Sequence, residues 1–489
     1  MRNARTVALV LLFGLIASAC GARLPSSERR QAAAAILNGS GGGGGIATTN
    51  NGLPAGTPGS AAPNAPGGVV GGSQGTQGTQ GTQGTQGGTQ TNGTTSGGST
   101  GCKTTSTDVG LTSTQLVIGN VSSTSGPVSG LFEGAVQGIQ AWAAYMNNQG
   151  GLCGHQIKVS FQDDSTNCTN NQNATQELGS KVFAFVGSFS LYDGCGAQYF
   201  QQNPKVPDIH VALDPKADTP SNHFDLETGH LGYATGMFEY YAKTLGDAVK
   251  HVGTMYANVG GAVPKQHSMV AAAEKAGWHF DYSRGNDATE SDWTSDFVKM
   301  CQQDHVKIFF TSATNAANAA KMINDEDQAG CPKDLINIIP IAYDQAFLQD
   351  VGNSPRLEGL LGWNEYSLFF NQDEATRIPE LKLFQSWFAK AYPGKPANLY
   401  ALFAWCSGRL FEHAFEAAAP NVTRATLMDQ LRKVKDWTTN GAMAPFTPTN
   451  KSGGVTCYIL WKIHSGSFGR LDDPASSYRC DGQFVSING

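Results

Sequence analysis

The chain has 489 residues and a net charge of −6, with 33 Lys and Arg against 39 Asp and Glu. The charges are scattered without a basic stripe, which argues against nucleic acid as a partner. After the first 20 residues no apolar run approaches the length of a membrane span.

The N-terminus carries Arg2 and Arg5, an apolar run from Val7 to Ala17, and then Ala17-Ser18-Ala19-Cys20. Charge, a short apolar stretch and small residues in that order predict a cleavable export signal over residues 1–20. A Cys directly after the small residues is what bacterial lipoprotein processing requires. Cys20 is therefore expected to carry a lipid that anchors the protein, outside the cytoplasm, to the cell membrane. Ala17 stands where such signals usually have Leu, and Ala17-Ser18-Ala19 also suits an ordinary signal peptidase, which would leave a soluble secreted protein.

Residues 21–105 follow as a tether. They hold 24 of the 60 Gly, including the Gly41–Gly45 block and four Gly-Thr-Gln triplets starting at Gly75. A stretch so poor in apolar and aromatic residues cannot offset its ordering entropy and is expected to be disordered, with a reach of about 50 Å. Ten cysteines in an exported chain point to disulfides. None forms a C-x-x-C pair or has a His beside it at ligand spacing, so no metal is expected, and no cofactor.

From residue 106 onward strand-length apolar runs alternate with amphipathic helical stretches. Strands are predicted over 115–121, 156–161, 182–186 and 208–211, with helices over 130–148, 170–179, 196–202 and 232–245 among them. In the first helix Leu131, Ala135, Ile139, Trp142 and Met146 fall near helical spacing. The pattern then restarts. Strands over 251–256, 278–282, 307–310 and 336–341 alternate with helices over 264–276, 292–303 and 316–329. Three helices (379–391, 399–418, 424–434) and a strand over 456–463 close the chain. Two such runs imply an α/β protein with two parallel sheets, each flanked by helices. The last segment has too few strands for a third domain and is expected to complete the first two.

Local sequences add to this pattern. They are Ile118-Gly119-Asn120, Ser125-Gly126-Pro127, the turn Asn147-Asn148-Gln149-Gly150-Gly151-Leu152-Cys153-Gly154, and the strand ends Phe161-Gln162-Asp163-Asp164 and Phe185-Val186-Gly187-Ser188. In this order they resemble the type I periplasmic-binding-protein family, and within it the branched-chain amino-acid (Leu/Ile/Val) group of ABC-transporter solute-binding proteins. The resemblance implies a two-lobed fold joined by a three-strand hinge that closes on a small molecule. It implies lobe one from residues 106–247 with 365–445, and lobe two from 248–364 with 446–489. A monomer delivering an amino-acid-like or related metabolite to an ABC permease in the membrane is the expected role.

In open α/β sheets ligands bind beyond the carboxyl ends of the strands, where helix N-termini offer free N–H groups. The candidates in lobe one are Ser125; Ser188, Phe189 and Ser190; and Leu213 and Asp214. In lobe two they are Tyr256 and Asn258; Thr311 and Ser312; and Tyr343 and Asp344. The Ser hydroxyls suit a carboxylate and Asp344 an ammonium, although both residue types also cap helices. The family's amino-acid binders usually carry a Ser/Thr-rich run after the third strand and a small-residue loop after the fourth. Here these read Gly187-Ser188-Phe189-Ser190-Leu191-Tyr192 and Ala212-Leu213-Asp214-Pro215. A branched-chain amino acid is therefore not singled out, and amides, short peptides and aromatic acids stay open.

The resemblance also implies a bridge between Cys168 and Cys195, where leucine-type members carry one. The layout suggests three more: Cys102 with Cys153, Cys301 with Cys331, and Cys457 with Cys480. Cys406 is left as a buried thiol on the apolar face of helix 399–418.

Beyond the Gly-rich stretch, where residues 71–75 and 97–101 match G-x-S-x-G by composition alone, the sequence has no G-x-S-x-G, H-E-x-x-H, P-loop or G-x-G-x-x-G after the first strand, so no enzyme is expected. The rival readings are a ligand-sensing lipoprotein that signals to a membrane partner without transport, and a structural envelope protein.

Overall fold

The computed structural model describes residues 102–127, 129–227, 231–287, 289–451, 453–472 and 478–487. The export signal, Cys20 and all but the end of the expected tether lie outside these residues. That end is not tether. Cys102 is bonded to Cys153, and Thr104 is buried with its hydroxyl donating to the Pro420 carbonyl at 2.6 Å.

Lobe one is built on five parallel strands, β1 (Gln115–Ser122), β2 (Gln156–Asp163), β3 (Ala184–Val186), β4 (Asp208–Ile209) and β5 (His223–Phe224), in the order β2-β1-β3-β4-β5. Helices α1 (Glu133–Asn148), α2 (Cys168–Gly179) and α3 (Asp193–Gln202) connect them. Lobe two has a seven-stranded sheet in the order β13-β12-β11-β10-β9-β7-β8. Its β7 (Val252–Ala257), β8 (Phe280–Asn286), β9 (Ile308–Phe310), β10 (Ile336–Ile338) and β11 (Leu361–Asn364) run parallel. Strands β12 (Ile459–His464) and β13 (Ser467–Arg470) add an antiparallel edge. A separate ribbon pairs β6 (Gly232–Ala234) with β14 (Phe484–Ser486).

The helical spacing in α1 places Ala135, Ile139, Trp142 and Met146 in the core of lobe one. That face meets the late helix Leu399–Ala418, which returns to lobe one with Pro379–Ala391 and Arg424–Leu431. The two helix backbones approach so closely that a Cβ on Gly138 would lie 2.1 Å from the Ala401 carbonyl oxygen, which requires glycine there. The Trp142 indole N–H donates to Glu412 at 3.1 Å, so the buried ring keeps its polar atom satisfied. Arg424 donates to the carbonyls of Phe183 and Gly179, each at 3.0 Å, tying the last helix to the third strand.

The lobe boundaries differ from the expected ones. Helix Gly236–Leu245, expected in lobe one up to residue 247, belongs to lobe two. Its Phe238 ring meets Trp278 at 5.3 Å and Trp363 at 5.2 Å, and the Tyr241 hydroxyl donates to Gly362. Its apolar face complements the second sheet, so the first crossover falls between β5 and β6. Beyond β11, Glu374 pairs with Arg470 of β13, which keeps the start of the expected 365–445 segment against lobe two. The third crossover comes later than residue 446, because Lys451 still holds Asp218 and the His223 carbonyl of lobe one.

Four disulfides join Cys102–Cys153, Cys168–Cys195, Cys301–Cys331 and Cys457–Cys480, the pairs suggested by the sequence. Cys406 is a buried free thiol, which burial holds protonated. Among the described residues no helix is long and apolar enough to cross a membrane.

Candidate functional site

The carboxyl ends of the two sheets face each other across a cleft that encloses a cavity of about 190 Å³. An apolar cavity of about 150 Å³ already accepts a benzene ring, so the space suits a small organic molecule. The lobe one wall is aromatic. Phe189, just past β3, stands 5.7 Å from Phe132 and 5.3 Å from Tyr400, ring centre to ring centre. Lobe two contributes Val259, Ala313, Pro340 and Ile341.

Charge enters this cleft at one place, near the first and second crossovers. Lys265, in the first turn of helix Ala262–Lys275, donates to Glu227 at 3.3 Å and lies 4.9 Å above the Tyr233 ring. The Tyr233 hydroxyl donates to Glu365 at 2.5 Å and accepts from the Trp363 indole at 2.9 Å. Burial, reinforced by the Glu227 carboxylate, pushes the Glu365 carboxyl above its usual range. Burial opposes the charge on Lys265, but Glu227 and Glu365 outweigh it and hold the ammonium above its ordinary pKa. With both carboxylates ionised the group carries one uncompensated negative charge.

Two further polar atoms border the cavity without a hydrogen-bond partner among the described residues. They are the Asn364 amide nitrogen, whose oxygen accepts from Trp461, and the Thr314 hydroxyl. Buried polar groups are normally paired, so two unpaired ones on residues that line a cleft mark candidate positions for a bound molecule. Thr314 lies two residues before helix Ala316–Gln328, whose N-terminus favours negative charge.

Of the residues expected from sequence, Phe189, Leu213 and Ser312 line the cavity. The others are engaged elsewhere. Ser125 donates to Asp163 and Ser165, fastening its own loop. Ser188 accepts from the Val121 amide at 3.1 Å, and Ser190 donates to the buried Asp164. Asp214 closes a turn by accepting from the Lys216 amide at 2.8 Å. Tyr256 packs against Gly285 and Asn258 is exposed, its backbone N–H donating to Asn286. Thr311 donates to the Met255 carbonyl at 2.7 Å. Tyr343 is buried among Phe370, Trp461 and Phe468, its hydroxyl accepting from the Phe370 amide. Asp344 caps helix Gln345–Val351, accepting from the Ala346 amide at 2.8 Å.

Sequence reasoning missed Glu227, Tyr233, Lys265, Thr314, Asn364 and Glu365. One signal was available: Glu365 directly follows a strand. That strand, Leu361–Asn364, is only four residues long and includes Gly362, so it has little strand signal of its own.

A family model described as periplasmic binding protein matches residues 115–467. No curated protein is significantly similar to the chain. Solved structures share its fold at low identity. A fatty acid ABC transporter substrate-binding protein from Thermomonospora curvata has 17% identity and a TM-score of 0.63, covering 79% of this chain and 96% of its own. A leucine-binding protein from Thermotoga maritima has 16% identity and a TM-score of 0.60, covering 73% and 98%. An R. palustris solute-binding protein in complex with 4-hydroxybenzoate has 17% identity and a TM-score of 0.59, covering 76% and 97%. With its two sheets, its interlobe cleft and a family match over most of its length, the chain belongs to the periplasmic binding protein family and has the type I fold.

Proposed function

We propose that this chain is the solute-binding component of an ABC importer. It closes its lobes over an amino-acid-like metabolite with an amine and an apolar or aromatic body. The observation that carries this reading is the Glu227–Lys265–Glu365 group at one end of an otherwise apolar cleft. Its residual negative charge suits an ammonium. The Thr314 hydroxyl, the Asn364 amide and the nearby helix N-terminus suit a carboxylate or another acceptor on the same molecule. Phe189, Phe132 and Tyr400 face the body. Hinge closure then removes the ligand from water, which strengthens each of these polar contacts.

The proposal includes a lipid on Cys20 and a flexible leash that keep the receptor beside its membrane permease. Native mass spectrometry of the purified protein tests the ligand by weighing what co-purifies. An amine-bearing small molecule is expected, and a matched panel of amines and acids is expected to raise the Tm only with the amines. An empty cleft with no thermal shift across the panel would contradict the reading.

A further inference from the structure

The second concentration of charge lies outside the cleft, at the root of the hinge in lobe one. Asp208 of β4 accepts from Nδ1 of His210 at 2.8 Å and from Nδ1 of His223 at 3.1 Å. A carboxylate has no proton to give, so both Nδ1 atoms carry theirs, and on His223 it is Nε2 that faces any second partner. The His223 side chain is wholly buried, and its Nε2 has no hydrogen-bond partner among the described residues. It points at Asp225 Oδ2, 3.6 Å away, and Asp218 Oδ1, 3.8 Å away. These separations are too long for hydrogen bonds. Ligands held at about 2.0–2.2 Å on a tetrahedral ion stand roughly 3.3–3.6 Å apart, which the Asp225 separation meets and the Asp218 separation slightly exceeds.

We infer that His223 Nε2, Asp218 and Asp225 form a site for a divalent transition-metal cation, with Asp208 orienting the imidazole from behind. A carboxylate on the second ring nitrogen is the usual support of a metal-bound histidine. An imidazole with two carboxylates suits zinc and its neighbours better than calcium or magnesium, which prefer oxygen alone. The local charge agrees. Asp208, Asp218 and Asp225 gather three acidic side chains around His223 in a buried region, which favours a cation there. Lys451 already touches Asp218, whose carboxylate has lone pairs enough for both.

The site would join hinge to cleft. The Asp225 amide donates to Pro448 of the third crossover, and Asp225 Oδ1 accepts from the amide of Glu227, which lines the cleft. No cysteine takes part, which is why cysteine spacing gave no hint of it.

The test uses the untagged full chain, stripped with a chelator and then titrated with zinc sulphate. One zinc per chain is expected to survive gel filtration, measured by elemental mass spectrometry, with the Tm raised by about 3 °C or more. Asp218→Asn and Asp225→Asn are each expected to weaken zinc binding at least tenfold. His279→Ala, which alters the exposed His279–Asp281 pair, is expected to leave it unchanged. Should either Asn variant misfold, the parent protein decides. Absence of stoichiometric zinc with an unmoved Tm overturns the assignment, and so does undiminished binding in the Asn variants.

Discussion

On the lobe one face of the cleft, Ser188 and Ser190 turn their hydroxyls back into the sheet that carries them. On the opposite face and at the second crossover, Thr314 and Asn364 line the cavity and each keep a buried polar atom without a hydrogen-bond partner among the described residues. All four residues lie at or near strand ends, where ligands of α/β sheets bind. What separates them is whether the fold has already satisfied their hydrogen bonds. Lobe one offers a rigid aromatic wall, whereas lobe two and the crossovers offer the groups that choose the ligand.

Four changes break or sharpen this contrast, beginning with the largest effect. Glu365→Gln removes the charge facing the proposed ammonium. It is expected to weaken an amine ligand by about tenfold to a hundredfold, the range of one charge-assisted hydrogen bond, in isothermal titration. The empty protein should not lose Tm, because burial already disfavours the ionised carboxyl. Ser190→Ala should do the reverse. It strips a hydroxyl from buried Asp164 and is expected to cost about 1–3 kcal/mol in denaturant unfolding, with affinity within twofold of the parent. Asp344→Ala should cost only the helix cap, about 1 kcal/mol, and leave affinity alone. A tenfold loss of affinity in either lobe-internal variant would erase the contrast.

The smallest effect is in pH. Glu365 has a raised pKa in the folded state, so its contribution to stability is complete below the unfolded value, about 4.3, and is lost as pH rises through the folded value. The empty protein should therefore become slightly less stable over that interval. An ammonium ligand needs the ionised carboxyl, so its affinity should rise over the same interval, and Glu365→Gln should abolish the slope. A pH-independent affinity in the parent would remove Glu365 from the site.

Much of the fold was legible. The alternation of strands and helices gave both sheets, the helical spacing in α1 gave its buried face, and helix Leu399–Ala418 has the predicted bounds. Strand β5 is two residues long and includes His223, and β14 pairs with β6 from about half the chain away, so neither leaves a periodic signal. Helix Gly236–Leu245 was read as a helix but placed in the wrong lobe, because periodicity shows which face is apolar and not which sheet covers it. The site was less legible for a similar reason. Ser188, Ser190 and Asp344 occupy the right places in the topology, but hydrogen bonds to residues far along the chain decide whether their polar atoms remain free. Lys265 and Glu227 are brought together from 38 residues apart by the first crossover, with no local pattern to announce it.

The most direct measurement is titration of the purified, lipid-free protein with paired ligands that share an apolar body and differ only in an amine or a carboxylate, followed by the Tm. The account predicts saturable stabilisation by the amine member that disappears in Glu365→Gln. Equal stabilisation by the acid, or retention of the amine response in Glu365→Gln, would contradict it.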